Sequence, residues 1–112
     1  MAGAIRYLGP CLIPGELHDL GDYPALVPAR RPNAVVRGEL IRVLGPGALR
    51  AIDAWELFDP RDLVGSLYHR VRVTLVNPRR TVWTYLHNGP ADGPRVPSGD
   101  WRRHLAMRRR TF

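Results

Sequence analysis

The sequence has 112 residues, which suits one domain of about 100 to 150 residues with a single core. Apolar residues make up 45% of the chain and can supply that core. The single cysteine, Cys11, excludes an internal disulfide and a multi-cysteine metal site, so we expect a protein of the reducing cytoplasm. No stretch approaches the roughly 18 consecutive apolar residues that a membrane span requires.

The net charge of +7 raises the question of nucleic-acid binding. All 17 basic residues are arginine, however, which is more typical of coding bias in a GC-rich bacterial genome than of selection for phosphate contacts. The densest basic cluster lies near the C-terminus, from Arg102 to Arg110. We therefore predict a domain over residues 4–103, followed by a basic, solvated tail over residues 104–112.

The first half of the chain predicts strands and turns, because 11 glycines and 11 prolines divide the sequence into short segments. Residues 12–20 and 34–44 read as strands, and the second is rich in β-branched residues. A helix follows over residues 48–58, where Leu49, Ile52 and Trp55 recur at helical spacing.

The second half predicts a β-hairpin and a short helix. Residues 66–76 alternate in polarity, residues 77–80 make a turn, and residues 81–87 are rich in strand-forming types. A loop then leads to a short helix over residues 100–110, capped by Ser98 or Asp100. Several antiparallel strands with one main helix indicate the α+β class.

Glu56 is the first candidate for chemistry, because it lies on or beside the apolar stripe of the predicted helix. A carboxylate among apolar side chains loses hydration, which favours its neutral form and suits general acid/base work. The alternative is a glutamate on the helix surface. The four histidines are far apart in sequence and Cys11 has no base nearby, so neither a metal site nor a nucleophile is supported.

Several short segments occur together in the order and spacing of one known family. The chain resembles the gamma-glutamylcyclotransferase-like proteins from about residue 4 to 103. The segments are Leu-Gly-Asp-Tyr-Pro-Ala-Leu-Val-Pro at 20–28, Gly-Glu-Leu at 38–40, Ile-Asp-Ala-Trp-Glu at 52–56, Tyr-His-Arg-Val-Arg-Val at 68–73, Val-Trp-Thr-Tyr at 82–85 and Ser-Gly-Asp-Trp-Arg at 98–102.

The resemblance implies a small mixed β-barrel with the main helix packed outside and a pocket at one end. It implies that a γ-glutamyl amine or amino acid cyclises to 5-oxoproline and releases the amine, with no metal or organic cofactor. Glu56 matches the family's general acid/base, and Tyr23, Tyr68 and Tyr85 are candidate substrate contacts.

The chain departs from the family pattern at its N-terminus, where the usual strand and Tyr-Gly-Ser/Thr-Leu loop have no counterpart. That loop is expected to bind the substrate's carboxylate or the developing oxyanion through backbone amides. Two expectations follow, either a longer natural protein or a domain that binds a small molecule without turnover. A basic nucleic-acid-binding module is the third hypothesis. The sequence does not identify the leaving amine or the oligomeric state.

Overall fold

A computed structural model of the protein describes residues 5–55, 59 and 61–110. Neither described helix is long and apolar enough to cross a membrane. The elements in chain order are β1 (Ile5–Pro14), β2 (Glu16–Asp19), β3 (Pro24–Val27), β4 (Val35–Val43), α1 (Pro46–Trp55), β5 (Tyr68–Thr74), β6 (Thr81–His87) and α2 (Trp101–Arg110).

The strands form three antiparallel pairs, β1 with β4, β2 with β3, and β5 with β6. These pairs and the two helices confirm the α+β class. Within the described residues, an isolated bridge between Leu12 and Asn77 joins β1 to the β5–β6 hairpin, and no continuous pairing closes a barrel. The Val76 N–H donates to the Leu12 carbonyl at 2.9 Å, so this bridge fixes where the two sheets meet.

The predicted β4 and β5–β6 hairpin are confirmed, with bounds that differ by no more than two residues. The main helix is also confirmed. It begins at Pro46, two residues earlier than predicted, since proline is tolerated in the first turn, where its missing N–H has no intrahelical partner. The predicted end of this helix, over residues 56–58, lies outside the described residues.

The predicted single strand over residues 12–20 is wrong, because the chain changes sheets at Gly15. Residues before it belong to β1 and pair with β4, whereas residues after it belong to β2 and pair with β3. A Cβ atom at Gly15 would lie 2.9 Å from Leu26 Cδ1 and 3.0 Å from the Val27 carbonyl oxygen. The glycine therefore permits the close approach at which the chain leaves one sheet for the other.

The core lies between β2, β4 and the loop that precedes α2. Leu17, Val36 and Val96 form its buried cluster, against which Leu26 and Trp101 pack. The loop is held in place by its backbone, since the Val96 N–H donates to the Leu17 carbonyl at 2.7 Å. This loop lacks regular secondary structure of its own, so the backbone hydrogen bond to β2 is what positions the buried Val96.

Helix α2 is attached to the end of β2 through the carboxylate of Asp19. The Asp19 Oδ2 atom accepts hydrogen bonds from His104 Nε2 at 2.7 Å and from Arg108 Nη1 at 3.1 Å. The Gly21 N–H donates to Asp19 Oδ1 at 2.7 Å. These contacts, the His104 hydrogen bond foremost, lower the pKa of the Asp19 carboxyl.

We predict that Asp19→Asn lowers the midpoint of thermal unfolding at pH 7 by a few degrees. The pKa of Asp19 in the folded protein lies below the usual value of about 3.9. Its contribution to stability is therefore complete above that pH and is lost as the pH falls through the lower, folded-state pKa. Circular dichroism melts across pH 2–7 should show the difference between wild type and variant narrowing in acid.

Asp22→Asn is the matched control, because it makes the same change of charge at an exposed residue of the adjacent turn. We expect Asp22→Asn to melt with the wild type at every pH. Equal destabilisation by the two variants would mean that general charge, and not the contact with α2, is responsible.

Candidate functional site

A cavity of about 330 Å³ lies between helix α1, the β1–β4 sheet and the β5–β6 hairpin. Its volume falls at the lower end of the range of about 300–1,000 Å³ that is usual for small-molecule sites. The described residues that line it are Cys11, Ile13, Glu39, Leu40, Ile41, Val43, Leu49, Ile52, Arg70, Leu75, Val82, Trp83, Thr84 and Tyr85.

The polar centre beside this cavity is Asp53, which α1 carries and which is only 8% exposed. The Tyr85 hydroxyl donates to Asp53 Oδ1, and Arg70 Nη1 lies 3.2 Å from Asp53 Oδ2. Arg70 and Tyr85 are direct cross-strand partners on β5 and β6, so the register of the hairpin places their side chains on one face. One carboxylate can therefore bind both.

The arginine of this group is also held by an aromatic ring. The Arg70 guanidinium carbon lies 5.0 Å from the centre of the Trp83 ring, and that of Arg72 lies 5.1 Å from it. Contacts of this kind add about 0.5–1 kcal/mol each at exposed sites. The positive charge of Arg70 is thus held at the cavity wall by contacts with Asp53 and Trp83.

Cys11 is buried and lines the same cavity. Burial raises the pKa of its thiol, because desolvation disfavours the thiolate. The thiolate is the nucleophilic form of cysteine, so this position does not favour covalent chemistry through Cys11.

Residues 1–103 match the sequence profile of the family described as "Gamma-glutamyl cyclotransferase, AIG2-like". The chain belongs to this cyclotransferase family. The structure of an uncharacterised protein from Pyrococcus horikoshii is similar, with a TM-score of 0.71 at 18% identity over 95% of this chain and 79% of that one. This likeness shows the fold. No curated protein matches the chain at a significant level.

The sequence-based candidates occupy different places in this cyclotransferase fold. Glu56 lies outside the described residues, directly after the last residue of α1. Tyr85 lines the cavity. Tyr68 donates from its hydroxyl to the Pro24 carbonyl at 3.2 Å, and Tyr23 is 44% exposed. The described lining of the cavity does not include Tyr23 or Tyr68, and their role as substrate contacts stays a prediction.

Asp53 and Arg70 are not among the site residues predicted from the sequence. Both belong to the segments that carry the family resemblance, and Arg70 lies among the alternating residues of β5. Their opposite charges, one on a predicted helix and the other on a predicted strand, are the only signal that could have suggested this pair. Spacing along the sequence does not show that two such residues are in contact. Among the described residues, no group of three or more His, Cys, Asp or Glu side chains could hold a metal ion.

We predict that Asp53→Ala costs about 2–3 kcal/mol of unfolding free energy, because it leaves the Arg70 charge largely buried beside an apolar cavity. Tyr85→Phe removes one hydrogen bond to a carboxylate and should cost about 1–2 kcal/mol. Urea unfolding followed by circular dichroism measures both.

Tyr23→Phe is the control for the loss of a phenolic hydroxyl. At this exposed site the substitution should lower the free energy of unfolding by less than about 0.5 kcal/mol. If Asp53→Ala were no more destabilising than Tyr23→Phe, then Asp53 would not be what holds α1 to the hairpin.

Proposed function

We propose that this protein catalyses the gamma-glutamyl cyclotransferase reaction. In it, the α-amine of a γ-glutamyl compound forms a bond to its own γ-carbonyl carbon. The bond from that carbon to the amide nitrogen then breaks, giving 5-oxoproline and a free amine. The α-ammonium must lose a proton before it attacks, and the leaving nitrogen must gain one, so one residue that accepts and returns a proton serves both steps.

The observation that supports this reaction is the cavity in a member of the cyclotransferase family, with Asp53, Arg70 and Tyr85 gathered at its wall. The γ-glutamyl group carries an α-carboxylate, and a fixed cation favours such a group electrostatically. We assign Arg70 to the attraction of that carboxylate. Tyr85, whose hydroxyl is oriented by Asp53, is the tyrosine whose position best suits a substrate contact.

Glu56 is the proposed general acid/base. It follows Asp53 by three positions in the sequence, directly after the last residue of α1, and it matches the family's catalytic glutamate within Ile-Asp-Ala-Trp-Glu. Only a proton moves between this carboxyl group, the α-amine and the leaving nitrogen. The proposed reaction needs no metal or organic cofactor, and its substrate is a small molecule of the cytoplasm.

We predict that Glu56→Gln lowers kcat for 5-oxoproline formation by about 10²–10⁴-fold, the usual contribution of a general acid/base. The assay incubates purified protein with a panel of γ-glutamyl amines and amino acids and measures 5-oxoproline by chromatography. The glutamine keeps the size of the side chain but cannot exchange the proton.

Asp92→Asn is the control, since it removes a carboxylate from an exposed loop outside the cavity. It should react like the wild type. Product formation that survives in Glu56→Gln would reject Glu56 as the acid/base. Ligand binding without product from the wild type would instead favour a domain that binds a small molecule and does not turn it over.

A further inference from the structure

The walls of the cavity are mainly aliphatic. Strand β4, helix α1 and strand β6 each contribute branched side chains, and Leu75, only 2% exposed, closes one part of the wall. From this lining we infer that the protein prefers γ-glutamyl conjugates of small apolar amines over conjugates whose leaving group carries a charge. This inference rests on the proposed function, because it names the substrate class of the same site.

The charged side chains of the described lining are those of Arg70 and Glu39. Arg70 and Tyr85 contact Asp53, and we assign them to the γ-glutamyl end of the substrate. Glu39 is the one carboxylate of the described lining; its side chain is 38% exposed and so stays hydrated, and Arg102 lies 3.7 Å from it. The rest of the described wall offers a charged leaving group little compensation for the water it would lose.

The preference for an apolar leaving group follows from the free-energy cost of desolvating a charged one. An ammonium placed among Leu49, Ile52 and Val82 loses its hydration without gaining a partner, whereas a methyl group at the same point is removed from water favourably. The volume of about 330 Å³ also limits the leaving group to a short chain, since the γ-glutamyl group occupies part of the same space.

The test compares γ-glutamyl-n-pentylamide with γ-glutamylputrescine, in which an ammonium replaces the terminal methyl group at equal chain length. Affinity is measured by isothermal titration calorimetry with Glu56→Gln, so that turnover does not consume the ligand. Wild-type kcat/KM is measured separately from 5-oxoproline. We expect the pentylamide to bind at least about tenfold more tightly than γ-glutamylputrescine, because only the putrescine compound must bury an unpaired charge.

A pair of variants then tests whether these walls set the preference. Ile52→Val removes one methylene from the lining and should improve the affinity for γ-glutamyl-n-hexylamide relative to the pentylamide by about fourfold, the value of one buried methylene. Ile5→Val makes the same change on β1, outside the described lining, and should leave that ratio unchanged.

The binding results test the preference for apolar amines, and 5-oxoproline formation tests the proposed reaction separately. Tighter binding of γ-glutamylputrescine, equal affinities, or no binding of either compound would overturn the preference for apolar amines. If the pentylamide binds preferentially and the wild type forms no 5-oxoproline, the cyclotransferase reaction is rejected and the apolar preference of the cavity stands. An unchanged chain-length ratio in Ile52→Val would also overturn the inference, because the preference would then arise elsewhere.

Discussion

The candidate site depends on one carboxylate, that of Asp53. It joins helix α1 to the β5–β6 hairpin by binding a phenol from one strand and a guanidinium from the other. Among the described residues, the helix and the hairpin also face each other across the cavity, where apolar side chains leave space between them. A largely buried ion pair of this kind adds little net stability compared with apolar packing, but it tolerates few other arrangements. Its two contacts fix the position of Asp53 on α1 relative to strands β5 and β6.

The same contact gives the cavity a polar part within a mainly aliphatic wall. Near Asp53 the wall carries the positive charge of Arg70, which Trp83 also contacts, and the hydroxyl of Tyr85. The remaining wall is mainly aliphatic, and the thiol of Cys11 has a raised pKa. An ionic group and an apolar group of one small molecule would thus be recognised at different points. This separation connects the proposed reaction, which needs a charged γ-glutamyl end, to the inferred apolar leaving group.

The sequence predicted correctly those elements in which residue type and hydrophobic periodicity indicate the same secondary structure. Strand β4, the hairpin and α1 all combine suitable residue types with periodicity, and the structure confirms them. The errors lie where tertiary pairing outweighs local signals. The first predicted strand begins at residue 12, yet β1 begins at Ile5 and runs through Gly9 and Pro10. It does so because β4 supplies a partner strand, with an irregularity in register between Tyr7 and Gly9. Likewise, Gly15 divides two strands because of close contacts with β3.

For the site, the sequence by itself determined the class of fold, the helix that carries Asp53, and the family to which the chain belongs. The proposed role of Glu56 comes from the resemblance, because a motif is a property of contiguous residues. The tertiary structure alone decided that Asp53, Arg70 and Tyr85 meet, that Tyr23 and Tyr68 do not line the described cavity, and that its walls are mainly aliphatic. These features depend on strand register and on how α1 packs against the hairpin. Both are determined jointly by residues that are distant in sequence.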